Sequence, residues 1–199
     1  MCTDGTPLST DYHCMTTDYQ AIIDKYYPAS EGDPLMRDIY MKHACQVADM
    51  AVALNEHAAL GLDPERVRGA AMLHDIGICR TKASGIHCHG EEPYIRHGII
   101  GAEILRAEGA PEEWIRVDET HTGTGLTEED IIQQQLPLPA RDFMPETLLE
   151  KLVCYADKFY SKSGTMEKRT VAKARAALAR HGGDSLIRFD AMHRLFGYV

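Results

Sequence analysis

The sequence predicts an all-α protein, and three observations support this fold class. Prolines stand where a first helical residue would, at Pro34, Pro64, Pro111 and Pro145, and proline is well suited to the first turn of a helix. Glycines follow the apolar periodic segments, as they often do at helix ends. No segment shows a convincing alternation with the period of two that a half-buried strand requires, and β-branched residues are sparse. We therefore expect a helical domain.

Each predicted helix lies between a start signal and a stop signal. Asp33 and Asp63 precede two of the prolines and are good N-caps. The stops are glycines, at Gly61, Gly77, Gly109, Gly182 and Gly183. With these signals, the predicted helices cover residues 18–27, 34–60, 64–76, 93–108, 111–121, 127–134, 145–161, 166–181 and 184–196. We expect residues 1–16 to form a poorly ordered extension, residues 17–199 to form a single domain, and the proline-rich stretch 135–145 to be a connecting loop.

Composition excludes several classes of protein. The formal net charge of −9 argues against a general binder of nucleic acid polymers, because such proteins neutralise phosphates with basic residues. Nothing approaches the roughly twenty apolar residues of a bilayer span, and the acidic, polar start is unlike a signal peptide. The six cysteines include no CxxC pair, so neither a zinc knuckle nor a disulfide framework is indicated. We expect a cytoplasmic protein with free thiols and no membrane partner.

Six polar side chains fall on helix faces that are otherwise apolar. His43, for example, keeps helical step with Ile39, Val47 and Met50. One inward histidine is usually hydrogen-bonded to a carbonyl, and one inward aspartate can be a cap or half of an ion pair. Six such groups from five helices would cost several kcal/mol each if unpaired, against a domain stability of roughly 5–15 kcal/mol. A shared cation resolves the conflict for His43, His74, Asp75, His97, His121 and Asp157.

These residues resemble a known signature. His43, the doublet His74–Asp75 in LHDIG and Asp157 in CYADKF look like the H…HD…D pattern of the HD superfamily of metal-dependent phosphohydrolases, in its HDIG-containing branch. The resemblance spans residues 35–163. Two further histidines, one in YIRHGIIGAEIL and one in ETHTGTGLT, are similar to the extra histidines of binuclear members, among them bacterial diadenosine-tetraphosphate hydrolases. They are His97 and His121.

The resemblance implies an HD-domain helical bundle with two metal ions. One ion would be held by His43, His74, Asp75 and Asp157, and the other by His97 and His121 with Asp75 as a bridge. Nitrogen and oxygen ligands favour iron or manganese, while zinc, magnesium, cobalt and nickel also fit. The implied reaction is attack of a metal-bound hydroxide on a phosphorus centre, with Asp75 as both ligand and catalytic residue.

Basic residues near the ligands are candidates for binding substrate phosphates. Lys158, which directly follows a ligand, is the strongest candidate; Lys82 and Arg80 follow the doublet, and Arg141 is the weakest on spacing. For each, a solvated surface cation is the alternative interpretation. Several branches place a lysine soon after the doublet, where this chain has Ile78, and the GYP motif of cyclic-di-GMP phosphodiesterases is absent.

Two other segments have simpler interpretations. The triplet HCH at residues 87–89 has ligand-type side chains, but alternate loop positions do not build a coordination sphere by themselves. Because its segment joins two ligand-bearing regions, we expect a lid over the site. The basic stretch 167–180 is predicted to be an exposed helix face rather than an RNA-binding helix.

Three functions follow from these residues. The favoured one is a phosphohydrolase or phosphodiesterase acting on a small nucleotide-like phosphate ester or anhydride. The second is a di-iron oxygenase, because some HD-fold proteins resemble this chain in their ligands. The third is a non-catalytic sensor in which the metal holds the fold and a nucleotide binds. The sequence identifies neither the exact substrate nor the oligomeric state.

Overall fold

The chain is almost entirely helical in the computed structural model, which describes residues 18–29, 33–181 and 183–197. The α-helices are α1 (Tyr19–Tyr26), α2 (Pro34–His57), α3 (Pro64–Leu73), α4 (His97–Ala107), α5 (Glu112–Thr120), α6 (Glu128–Gln133), α7 (Leu148–Asp157), α8 (Val171–Leu178) and α9 (Gly183–Phe196). Short 3₁₀ helices cover Ile76–Arg80, Ser84–Ile86, Tyr94–Arg96 and Ala179–His181. The all-α prediction is confirmed, while the predicted extension over residues 1–16 lies outside the described residues.

Helix starts follow the predicted capping chemistry. The Asp33 carboxylate accepts a hydrogen bond from the Leu35 amide at the start of α2, and Asp63 does the same at the start of α3. α7 and α8 begin later than predicted, at 148 and 171 rather than 145 and 166. The reason is that the hydroxyls of Thr147 and Thr170 cap these helices by accepting backbone amide hydrogen bonds.

α2 lies at the centre of the bundle, packed against α3 on one side and α7 on another, while α4 packs against α5 and the 3₁₀ helix 76–80. A cluster of aromatic rings joins α7 to α9, with the Tyr155 ring 5.3 Å from Phe189 and 5.5 Å from Phe196 between centroids. These contacts fix the α7 end, where Asp157 lies. The helices that carry the predicted ligands are therefore those that form the core.

One small sheet breaks the helical pattern. β1 (Lys82–Ala83) pairs antiparallel with β2 (Cys88–His89), so that residues 82–89 form a hairpin between α3 and α4. Two residues per strand are too few to show an alternating pattern in the sequence. Among the described helices, even the 24-residue α2 lacks the continuous apolar character that crossing a membrane would require.

Candidate metal centre

The doublet His74–Asp75 lies where α3 ends. The sequence predicts a helix through residue 76, but α3 stops at Leu73, and Asp75 has φ −120° and ψ 16°, outside helical geometry. Adjacent residues on a helix diverge by about 100°. Because Asp75 leaves the helix, both side chains turn to one point, with His74 Nε2 3.0 Å from Asp75 Oδ2. Both are fully buried.

A first group of ligand atoms forms around this point. His43 Nε2, from α2, lies 3.1 Å from Asp75 Oδ2 and 3.1 Å from Asp157 Oδ1 at the end of α7. It is 3.3 Å from His74 Nε2, which is itself 3.6 Å from Asp157 Oδ1. One ligand atom from each of the four residues lies within 4.8 Å of all the others. The predicted first ligand set is thus brought together.

The second group uses the other oxygen of Asp75. Asp75 Oδ1 lies 3.5 Å from His97 Nε2 and 3.4 Å from His121 Nε2, and these two nitrogens are 3.0 Å apart. The three ligand atoms again lie within 4.8 Å of one another. Because each oxygen of Asp75 faces a different group, this carboxylate can bridge two ions, as the resemblance implies.

The orientations of the rings test whether these residues fit a cation. In three histidines, Nδ1 is 2.6–2.7 Å from the backbone carbonyl three residues earlier, so Nδ1 carries the proton and donates it. In the neutral ring, Nε2 then presents a lone pair. The lone pairs of His97 and His121 point at each other across 3.0 Å. Within the described residues, Asp75 Oδ1 accepts no hydrogen bond. Buried lone pairs that face one another fit divalent cations.

The protonation states of His97 and Asp75 favour cation binding, whereas that of His74 opposes it. Burial, reinforced by neighbouring His121, lowers the pKa of His97 to about 3, so that this ring is neutral at pH 7. Burial disfavours the Asp75 carboxylate, but Lys162 and His74 outweigh that effect and hold its pKa well below the usual range. For His74, burial is outweighed by Asp75 and Asp157, which raise its pKa to about 9. A cation would therefore displace a proton from His74.

Lys162 is a site residue that sequence reasoning missed. Its Nζ lies 2.6 Å from Asp75 Oδ2, and its side chain is largely buried. It follows Asp157 by five residues, beyond the end of α7, where no helical period links the two. Although burial disfavours the ammonium, Asp75 and Tyr94 raise the pKa of Lys162 above its usual value, so the side chain is charged.

Of the four basic residues predicted to bind phosphate, the structure places only Lys158 beside a candidate ligand. Lys158 lies at the site, but its Nζ donates to Asp157 Oδ2 at 2.7 Å and to the His121 carbonyl at 3.0 Å. Arg80 is exposed and lies over the Tyr26 ring, and Lys82 is exposed on β1. Arg141 donates to Glu119 and lies over the ring of Phe143.

A cavity of about 550 Å³ opens beside the first ligand group. Its wall contains Asp157 together with Lys158, Lys162 and Arg169, and the hairpin contributes Ala83, Gly85 and Ile86. Of the described basic residues, neither Arg80 nor Lys82 lines this cavity. The hairpin thus lies where a lid was expected, and the positive charge at the cavity comes from residues after α7.

Glycines let the supporting helices approach closely. A Cβ on Gly101 of α4 would lie 2.2 Å from the Asp118 carboxylate of α5, and one on Gly77 would lie 2.1 Å from the His97 carbonyl. Gly77 has no positive φ, so its predicted role as a helix-terminating glycine is wrong; it is small because α4 passes against it. These contacts bring His97 and His121 to the doublet.

The sequence profile of the HD domain matches residues 40–161, which include all six candidate ligand residues, and this chain belongs to the HD-domain family. An uncharacterized protein of Methanocaldococcus jannaschii is 37% identical over 145 residues, 67% of this chain and 78% of that protein. A tRNA (cytidine(56)-2'-O)-methyltransferase of Picrophilus torridus is 36% identical over 124 residues, 62% of this chain. This chain spans 32% of the methyltransferase.

The fold also resembles a solved structure. The HD domain of the L. monocytogenes phosphodiesterase PgpH, in complex with cyclic-di-AMP, superposes with a TM-score of 0.54 and 16% identity, covering 89% of this chain and 94% of that one. At this identity the likeness shows the fold. The predicted HD-domain helical bundle is therefore confirmed by both the family match and the architecture.

Proposed function

We propose that this protein is a phosphohydrolase or phosphodiesterase that uses two divalent metal ions to cleave a small nucleotide-like phosphate ester or anhydride. The observation that carries the proposal is the sharing of Asp75 by two ligand groups beside a cavity with a cationic wall. Phosphate substrates are anionic, and a site for them in an acidic protein needs local positive charge.

The six ligands would hold the two ions in the pairing described above. When bound, such ions supply an activated water and draw charge from the phosphoryl oxygens. The all-nitrogen and oxygen donor set favours iron or manganese, and zinc, magnesium, cobalt and nickel remain candidates. The residues of the chain hold these donors in place: Lys158 fixes Asp157 by donating to its Oδ2, and Tyr94 stacks on His97 with centroids 4.8 Å apart.

We assign substrate binding to Lys162 and Arg169. Both line the cavity, and the Lys162 ammonium lies at Asp75 Oδ2, between the ligands and the open space. An ammonium and a guanidinium there offer charge-assisted hydrogen bonds to phosphate oxygens. In this proposal Lys158 is a positioning residue, and the predicted roles of Arg80 and Lys82 in phosphate binding are replaced by those of Lys162 and Arg169.

The substrate class is supported by the architecture. The solved HD domain with the same fold is that of a phosphodiesterase bound to cyclic-di-AMP. A volume of about 550 Å³ is of the size that small-molecule sites have. A cyclic dinucleotide, a dinucleoside polyphosphate and a nucleoside monophosphate are therefore the substrates to test first. A short single-stranded RNA is also included in the panel because one relative is named as a tRNA methyltransferase.

Turnover of this panel with Mn²⁺ or Fe²⁺, followed by chromatography of the nucleotides, tests the proposal. We expect a small nucleotide to be cleaved, and we expect His97→Ala to lose most of that activity. His57→Asn on α2 is the matched control, since it removes an exposed histidine that belongs to none of the ligand groups. We expect it to retain wild-type turnover.

Three results would contradict the proposal. One is metal-loaded protein that cleaves no member of the panel. Another is oxygen uptake with the electron paramagnetic resonance signal of a mixed-valent di-iron centre, which would support the oxygenase. The third is thermal stabilisation by a nucleotide without product, which would support the sensor.

A further inference from the structure

Three potential ligands meet at a second place, formed by residues outside the centre described above. Asp33 Oδ2, at the start of α2, lies 3.0 Å from His87 Nδ1 and 3.3 Å from His89 Nε2. One ligand atom from each of the three lies within 4.8 Å of the others. The HCH triplet, which lacks a coordination sphere by itself, therefore gains a carboxylate from a position 54 residues earlier in the chain.

The local backbone explains why both imidazoles point the same way. His87 and His89 are two residues apart, and Cys88 between them is buried in the core. His87 itself has φ 57° and ψ 24°, a left-handed conformation that is uncommon for histidine. This turn carries the chain into β2 with both rings facing Asp33.

Asp33 uses its two oxygens for different purposes. Oδ1 accepts the Leu35 amide at 2.9 Å and caps α2, while Oδ2 faces the imidazoles. Partial burial disfavours the carboxylate, but hydrogen bonds from His87 and Leu35 outweigh that effect and lower the pKa of Asp33. The Asp33 carboxylate is thus ionised, and its Oδ2 faces one ring nitrogen of His87 and one of His89.

We propose that Asp33, His87 and His89 form a separate binding site for a borderline divalent cation such as Zn²⁺. Two imidazoles and one carboxylate are a donor set that suits such an ion, and three protein ligands leave a position for water. The exposed fractions of these side chains are 27%, 39% and 65%, so the ion and its water can enter from solvent.

The position of this site gives it a consequence for the cavity. Residues 83, 85 and 86 of the same hairpin line the cavity beside Asp157. A cation bound by Asp33 at the start of α2 and by His87 and His89 would connect the hairpin to the helical bundle. The ion would therefore fix one wall of the cavity without touching the ligands of the first centre.

Zinc stoichiometry tests the site directly. Each purified protein is equilibrated by dialysis with micromolar Zn²⁺, and the zinc-to-protein ratio is measured by emission spectrometry. We expect Asp33→Asn and His89→Asn each to hold about one equivalent less zinc than the wild type, with at least about a tenfold weaker affinity at this site. Asparagine is itself a good N-cap, so Asp33→Asn keeps the start of α2 intact.

His57→Asn is the control for the loss of one surface histidine, and we expect it to bind as much zinc as the wild type. All six ligands of the first centre are unchanged in these variants, so their zinc stays bound in every sample. Equal zinc content in the wild type, Asp33→Asn and His89→Asn would overturn the proposal and leave the cluster as hydrogen bonds between histidine and aspartate. A far-ultraviolet circular dichroism spectrum of each variant verifies that it is folded.

Discussion

Substitution of Gly77 by alanine tests how the backbone contact between the doublet and α4 supports the centre. A Cβ at this position would lie 2.1 Å from the His97 carbonyl oxygen and 2.4 Å from the Gly101 amide nitrogen. Ordinary contacts of this kind begin at 3.4 Å, so α4 or the 3₁₀ helix must move by more than 1 Å. Both obstacles are backbone atoms, which no change of rotamer removes. Overpacking of this kind costs roughly 1–3 kcal/mol.

Two measurements follow from this displacement. For a chain of 199 residues, a loss of about 1–3 kcal/mol lowers the melting temperature by roughly 2–12 °C. Since α4 begins at His97, the second ligand group is displaced as well, and a misplacement of about 1 Å reduces catalysis by as much as about 100-fold. We expect Gly77→Ala to melt at lower temperature and to contain less metal than the wild type.

Gly85→Ala is the matched control because nothing lies within 4 Å of its added Cβ and its φ is not positive. Its free energy of unfolding is expected to stay within about 0.5 kcal/mol of the wild type. Wild-type melting and wild-type metal content in Gly77→Ala would refute the idea that this glycine sets the distance between the doublet and α4.

Four further predictions concern single side chains. His97→Ala should lower the metal-to-protein ratio by about one equivalent while the first group retains its ion, as measured by emission spectrometry. Lys162→Met should raise KM for the phosphate substrate by about tenfold or more, because a charge-assisted hydrogen bond of about 1.5–3 kcal/mol is lost; unchanged KM would remove Lys162 from substrate binding. Because His74 has a pKa of about 9 without metal, the apparent metal affinity should rise by up to about tenfold per pH unit until pH 9 and then level off. Calorimetry of metal binding in two buffers should detect the proton that His74 releases. Burial, aided by Asp75, raises the pKa of Asp118, so the contribution of this carboxyl to stability falls as pH rises above its unfolded pKa of about 3.9. The free energy of unfolding of Asp118→Asn, measured in urea, should exceed that of the wild type by on the order of 1–3 kcal/mol at pH 7 and by little near pH 4.

Periodicity directs the six candidate ligands inward because each lies on a buried helix face or at the end of a helix. His43 follows the apolar stripe of α2, and Asp157 follows that of α7, so helical spacing alone directs them inward. Asp118 carried the same signal, since it lies between Trp114 and His121 on the buried face of α5. The predicted set does not include Asp118, although its helical spacing also directs it inward.

Other features have no periodic signal. The convergence of the doublet depends on Asp75 leaving helical geometry, which apolar spacing does not encode. Lys162 and Arg169 lie in the segment between α7 and α8, where neither helix nor strand relates one residue to the next. The approach of Asp33 to the hairpin joins residues 54 positions apart through tertiary packing. Such contacts depend on how helices and loops pack against one another in the complete fold, and no local pattern in the sequence predicts that packing.

Three imidazoles take their orientation from the turn of backbone in which they occur. His74, His97 and His121 each direct Nδ1 at the carbonyl three residues earlier, in contacts of 2.6–2.7 Å. Each four-residue segment is therefore a self-contained unit that restricts its ring before the bundle assembles. An incoming cation meets rings that have little rotational freedom left to lose, and a designer could transplant these short units onto another helical scaffold to obtain inward-facing nitrogen donors.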